Sequence, residues 1–245
     1  MESEFALKDY QVKPPSKLIN IKLINYNYSV GVYVGSGSRN ETLQTTGTSY
    51  LLEKMTARGT TSRSKTELSE EIENMGARYS SQADREWTKY GLTCFGNDAS
   101  KAISLLGDML TNNSMNSAEF EMVKDEVSAE HEDNHNRHKE TLLENVHFNS
   151  FREHMLGQPI KGDRDLTQSI TLDNLRDFHS ANYYGDNITI VATGNVSHQE
   201  VVDAVEQHFH SMAKTTNVSA NNTEKPIYIP GLLMIRDDEM YNSNV

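Results

Sequence analysis

The segment Gly47, Thr48, Ser49, Tyr50, Leu51, Leu52, Glu53, Lys54, Met55, Thr56, Ala57, Arg58, Gly59, Thr60 decides how the rest of the chain is understood. Glycines frame it and no breaker interrupts it, so it predicts a short helix. Tyr50, Glu53 and Lys54 stand three and four residues apart and therefore share one helix face. A metal-binding helix uses this spacing to aim two ligands and a carboxylate base at one ion. Here the two ligand positions carry a phenol and an ammonium, the wrong residue types for that task.

Upstream of this segment, residues 18–23 and 29–34 are rich in apolar and β-branched side chains and predict two strands. The second runs into Gly35, Ser36, Gly37 and Ser38, which is a strand-end turn: a phosphate loop would need more glycines and a lysine. Downstream, Ser64 with Glu67 forms a capping box for a helix to about Met75, stopped by Gly76. Residues 78–83 and 86–95 alternate as a strand pair. A helix beginning at Asp98 or Ser100 then places Ala102, Ile103, Leu106 and Leu110 at core spacing.

Ser117 opens a long helical stretch with Phe120, Val123 and Val127 as its apolar stripe. Between Ser128 and Thr141 the only apolar residue is Ala129, so this part lines a cavity or faces water. The stripe resumes at Leu142, Leu143, Val146 and Phe151. After Gly157 and Pro159 a loop is expected to about Leu166, then a helix capped by Thr171 or Asp173 and running to about Tyr183. Residues 187–193 predict a buried strand, and Ser197 with Glu200 a second capping box for a helix ending near Met212. A Thr, Asn and Ser loop and a short strand at 232–235 close the chain.

Strand pairs followed by helices predict an α+β fold, with helices layered on one mixed or antiparallel sheet. The expected organisation is an extended lead-in over 1–16, one domain over 17–212, and a linker over 213–245, of which the last twenty residues have no evident partner within the chain.

The 245 residues suffice for a substantial core, yet only 36% are hydrophobic. With 23 basic against 35 acidic residues the formal charge is −12. That sign repels phosphate backbones and anionic lipid, and no basic patch offsets it, so nucleic-acid binding is not expected. No apolar run approaches the roughly 18 residues of a spanning helix. The single cysteine, Cys94, excludes an intramolecular disulfide and sits in an alternating run as a small buried hydrophobe. The acidic, polar N-terminus has neither a signal-peptide core nor an Arg-rich transit segment.

Two constellations bear on metal chemistry. His131, Glu132 and His135 match H-E-x-x-H, with both histidines on one helix face. The surroundings are charged, and His138 is too close in sequence to complete the same site, so a solvated helix face is the favoured reading.

The other constellation is the opening segment. It resembles the inverted zinc motif H-x-x-E-H of the pitrilysin-like (inverzincin) peptidases, in the form found in the mitochondrial processing peptidase β subunit and the core proteins of respiratory complex III. Gly37, Ser38 and Arg39 look like the turn that precedes the family motif, and Arg58, Gly59 and Thr60 like its close. Glu73, Asn74, Met75, Gly76 and Ala77 resemble the E-x-M-G-A run, and Arg85 with Glu86 the R-E pair. The similarity extends from about Val30 to Met212, and Arg236, Asp237 and Asp238 resemble the opening of the family's second half. It implies one half of the two-domain processing-peptidase-like (LuxS-like) architecture, with the second half absent or supplied by a separate chain.

Carried over residue by residue, the resemblance places the zinc ligands on Tyr50, Lys54 and Glu130, the catalytic carboxylate on Glu53, and a supporting acid on Val123. Only Glu53 and Glu130 keep the expected chemistry. A lysine binds metal only as the neutral amine, and deprotonating a lysine of pKa about 10.4 at pH 7 costs roughly 4 to 5 kcal/mol. Left protonated, it sets a cation against a dication at a few Å. Without a metal, Glu53 has no activated water to work with. These positions are therefore expected to be vestigial, with no cofactor and no peptidase activity. Lys54 is expected either to take the place of the metal charge near Glu130 or to point to solvent.

Within the family, chains of this kind resemble the core scaffolds of complex III (ubiquinol-cytochrome c reductase) on the matrix side of the mitochondrial inner membrane. The resemblance implies a second core or processing-peptidase-like subunit as partner. It also implies contacts with the cytochrome b, cytochrome c1 and Rieske subunits, which would hold the redox cofactors. The alternatives are a non-catalytic partner of a processing peptidase, a zinc enzyme using His131, Glu132 and His135, and a free-standing interaction protein.

Overall fold

The computed structural model describes residues 17–22, 27–95, 98–132, 138–152, 154–215 and 225–234. The lead-in over 1–16 lies outside them. Five strands, β1 (Lys17–Lys22), β2 (Asn27–Val34), β3 (Arg78–Ala83), β4 (Thr88–Phe95) and β5 (Ile188–Gly194), form one sheet in the order β1-β5-β2-β4-β3. β1 runs parallel to β5 and every other pair is antiparallel, so the sheet is mixed.

Period-two alternation sets the register. Tyr28, Val30, Val32 and Val34 of β2 are buried, as are Ile188, Ile190 and Ala192 of β5 and Tyr90, Leu92 and Cys94 of β4. The expected strand at 86–95 starts at Thr88, because 84–87 turn the hairpin, with Asp84 N donating to Trp87 O at 2.9 Å.

The helices are α1 (Thr48–Met55), α2 (Lys65–Asn74), α3 (Ala99–Thr111), α4 (Ser117–Glu132), α5 (His138–Ser150), α6 (Arg164–Ser169), α7 (Leu172–Asn182) and α8 (His198–His208). α3 packs on β2 and β4, α8 on α3 and β1, and α1 on β3, α4 and α7. Reciprocal capping boxes fix three of the helix starts. Ser64 with Glu67, Thr171 with Asn174, and Ser197 with Glu200 each make reciprocal boxes that satisfy orphan N–H groups. Gly76 stops α2 at φ +58°, and Ala77 N reaches back to Ile72 O at 3.0 Å.

Four further expectations are corrected. The stretch from Ser117 resolves into α4 and α5, with 133–137 outside the described residues. The apolar stripe does not resume in the core: Leu142, Leu143 and Val146 are 40%, 51% and 52% exposed. α5 is held from another face, where the buried guanidinium of Arg85 binds Glu144 Oε2 at 2.6 Å and Leu156 O at 3.0 Å. Within the expected loop before Leu166, α6 begins, because Asp163 Oδ1 accepts from Asp165 N and Leu166 N.

The fourth correction concerns the terminal strand. Residues 232–234 are not strand, and Ile235 lies outside the described residues. The segment 225–234 does have a partner, the end of α5. Ile229 N donates to Ser150 O at 2.9 Å, and the Tyr228 ring meets Phe151 edge-on.

Candidate functional site

α1 is placed by its N-terminus. Gly47 takes φ +95°, which L side chains rarely adopt, and an added Cβ would stand 2.7 Å from Lys161 O. The buried carboxylate of Glu41 accepts from Gly47 N at 2.8 Å and Ser49 N at 2.7 Å, occupying two donors that the helix cannot satisfy itself. Burial pushes the Glu41 carboxyl up to about 8, against the hydrogen bonds from Ser49 and Gly47. Leu51, Leu52 and Met55 are buried and turn the opposite face, with Tyr50, Glu53 and Lys54, toward α4 and the edge strand β3.

The flanking turns fit the same frame. A Cβ on Gly37 would fall 2.1 Å from Asp84 O, so only glycine lets the 37–39 turn lie against 84–86. Arg39 N donates to Arg85 O at 2.8 Å, and the Arg39 guanidinium pairs with Glu86. Beyond the helix, Arg58 pairs with Glu119 and Glu126 of α4, and Thr60 Oγ1 donates to Asp108 Oδ2 at 2.7 Å. The 37–39 and 85–86 motifs, apart in sequence, are thus the two sides of one contact.

α4 presents Glu130 to this face. Phe120, Val123 and Val127 are buried, and Glu130 follows Val127 by three residues and Val123 by seven, on the same side. Lys54 Nζ lies 2.7 Å from Glu130 Oε1, and Tyr50 OH donates to Glu130 Oε2 at 2.5 Å. Lys161, from the loop before α6, brings a second ammonium to 3.5 Å from Oε2. Burial pushes the Glu130 carboxyl up, but the hydrogen bonds of Lys54 and Tyr50 and the charges of both lysines outweigh it and hold it below the usual carboxylate range.

Glu53 sits below this cluster, 6% exposed. Burial raises its carboxyl pKa, opposed by a hydrogen bond with Ser81 and the charge of Lys54. The charge of Glu53 reaches the buried Tyr183, whose OH lies 2.7 Å from Tyr90 OH in the core. Val123 is buried in apolar packing, so the position expected for a supporting acid holds a core side chain.

The donor set does not fit zinc. An ammonium has no lone pair to give, and Lys54 spends its charge on the carboxylate that would be the third ligand. Among the described residues no group of three or more His, Cys, Asp or Glu is placed to hold a metal ion. Of the second constellation, His131 stands on α4 with a buried Nε2, which corrects the expected solvated face at this position; burial and the charge of Lys161 lower its pKa. The Glu132 side chain and His135 lie outside the described residues.

Two residues that build the site lie outside the sequence motifs. Lys161 sits in an irregular loop, and only the fold brings it to Glu130. Glu41 is readable in principle, as an acid just ahead of a helix N-terminus.

The sequence pattern of the insulinase-type peptidases, family M16, matches residues 25–164. The chain belongs to this family. Within the M16 family, the pattern of the peptidase M16 inactive domain matches residues 169–235. The β subunit of the mitochondrial-processing peptidase of Lentinula edodes is 33% identical over 221 residues, which cover 89% of this chain and 47% of that protein. The human β subunit is 30% identical over 212 residues, 86% of this chain and 43% of that protein.

This M16 chain thus spans about half the length of the curated relatives it matches. Among solved structures, a chain of complex III2 from Candida albicans superposes with a TM-score of 0.81 at 18% identity, covering 96% of this chain and 53% of that one. A protease from Helicobacter pylori superposes at 0.79 and 20% identity, over 89% of this chain and 53% of that one. At such identities the likeness is one of fold.

Proposed function

We propose that this chain is a structural subunit without peptidase activity, of the core-protein type found in respiratory complex III. The observation that carries the proposal is the Lys54–Glu130 ion pair at 2.7 Å, which uses the carboxylate a metal would need. Tyr50, Lys54, Glu53 and Glu130 are on this reading the vestige of a peptidase site, and their remaining role is to hold α1 against α4. The family relation to processing peptidase β subunits and the fold shared with a complex III chain support a mitochondrial setting. No described helix is long and apolar enough to cross a membrane.

The proposed seat is the matrix side of the inner membrane, beside a second core or processing-peptidase-like subunit. Cytochrome b, cytochrome c1 and the Rieske protein are the proposed further neighbours. A second reading, a non-catalytic partner of a processing peptidase, is favoured by the names of the curated relatives.

Native purification of the tagged chain separates the two. Haem b and haem c absorbance in the purified assembly supports the first reading; presequence cleavage without haem supports the second. Stoichiometric zinc together with cleavage abolished by Glu53→Gln overturns both.

A further inference from the structure

Lys161 is the feature of the site that the fold explains least. Its ammonium is buried and makes no hydrogen bond. It stands 3.5 Å from Glu130 Oε2, while Lys54 Nζ stands 2.7 Å from Oε1, so each carboxylate oxygen faces its own cation. Both cations also share one ring: Lys54 Nζ lies 5.0 Å and Lys161 Nζ 5.9 Å from the Tyr50 centroid. Attraction to the ring face compensates part of the ammonium desolvation.

The backbone fixes Lys161 in this place. Gly162 takes φ +76°, and a Cβ there would meet Thr46 O at 2.4 Å, so the loop lies directly on the start of α1. Thr167 Oγ1 donates to Lys161 O at 3.3 Å and ties the same peptide to α6. Asp163, the acid nearest in sequence, caps α6. The ammonium is thereby directed to Glu130.

We infer that Lys54 and Lys161 together replace a dication. Two ammonium charges, one on each oxygen of Glu130, supply the +2 that a bound divalent ion would bring, and they do so from within the chain. The pair holds α1, α4 and the loop before α6 together and keeps divalent metal out. Restoring histidines at positions 50 and 54 therefore does not restore a metal site while Lys161 stays. The inference concerns the site itself and is independent of which assembly the chain joins.

Zinc titration of the full chain by calorimetry tests it. The Tyr50→His/Lys54→His double variant is compared with the same variant carrying Lys161→Met and with one carrying Lys161→Arg. A retained ammonium either stands against the zinc or sheds its proton, which for a lysine at pH 7 costs roughly a factor of 10³. The expected result is one zinc per chain with Lys161→Met, bound about 100-fold or more tighter than by the double variant, and no gain with Lys161→Arg. Equal affinity in the double variant and the Lys161→Met variant overturns the inference, as does zinc binding by none of the three.

If the histidine variants do not fold, thermal denaturation of Lys161→Met, Glu130→Gln and their combination reads the pairing directly. A Tm loss in the combination clearly smaller than the sum of the single losses supports the inference. Additive losses overturn it.

Discussion

Lys54 Nζ and Glu130 Oε1 lie 2.7 Å apart, joining α1 to α4 across 76 positions of sequence. Their side chains are about a quarter exposed, so the pair falls between a surface ion pair and a buried one. Lys54→Met is expected to cost about 1 to 2 kcal/mol in urea denaturation at pH 7. Glu130 is held below its usual range, so its contribution is present above the unfolded carboxylate pKa and is lost as pH falls through the lower folded value. The difference between Lys54→Met and the parent should therefore shrink below about pH 4. A difference that stays constant from pH 7 to pH 3 would remove Glu130 as its cause.

Much of this arrangement is legible in the chain. Strand alternation and the two Ser/Glu capping boxes depend on neighbours in sequence, so they place β2, α2 and the start of α8 within a residue or two; α8 ends at His208, short of the expected Met212, because no local signal of comparable strength marks its close. Tyr50 and Lys54 share one face of α1 through their spacing of four residues, whereas the joining of Glu130 to them is legible only through what the family resemblance implies. Lys161 is not, because a loop has no period and its direction is set by the Gly47–Gly162 contact. The exposure of Leu142, Leu143 and Val146 is hidden for a different reason: apolar spacing specifies a face but not whether anything covers it. Residues 232–234 show the same limit, since β-prone composition makes no strand without a sheet edge to pair with.

Gly47→Ala tests the positioning of α1. The substitution strains a left-handed φ and drives a Cβ to 2.7 Å from Lys161 O, against backbone that has no rotamer to move. A loss of about 2 to 4 kcal/mol is expected. Ala57→Gly, near the other end of the segment, should cost no more than about 1 kcal/mol. Comparable losses for the two variants would mean that the tight approach at Gly47 carries no special weight.

Two buried groups give opposing pH dependences. The Glu41 carboxyl is raised by burial to about 8, so the folded chain holds a proton that the unfolded chain has released. Its contribution is full below about pH 4.5 and declines as pH rises toward 8. His179, stacked on Tyr183 with Nε2 bonded to Leu110 O at 2.9 Å, has its pKa lowered by burial. Its contribution is present above the unfolded value of 6.5 and is lost as pH falls through the folded one. Urea midpoints measured from pH 5 to pH 9 should decline less toward alkali in Glu41→Gln, and less toward acid in His179→Gln. An unchanged profile in either variant would show that the group does not titrate in that window.

Arg85 provides the remaining test, because it anchors α5 while the apolar side chains of that helix face outward. Its guanidinium is 7% exposed as a residue and joins Glu144 Oε2 with Leu156 O, so one side chain links the β3–β4 turn, α5 and the turn after it. Removing the cation leaves the half-buried Glu144 with only the Ile160 backbone hydrogen bond and the charge of His147 to offset its burial. Burial already raises the Glu144 pKa despite Arg85, and the loss of Arg85 raises it further. Arg85→Met should then cost about 2 to 4 kcal/mol at pH 7, reduced because the Glu144 side chain is a third exposed. A carboxyl with a raised pKa is penalised above the unfolded value, so the cost should be smallest below about pH 4.5. The double variant Arg85→Met/Glu144→Gln should recover part of the loss at pH 7, since an amide needs no counter-charge. If Glu144→Gln recovers nothing, the anchor lies in the Arg85 bond to Leu156 O, and the ion pair adds little to holding α5.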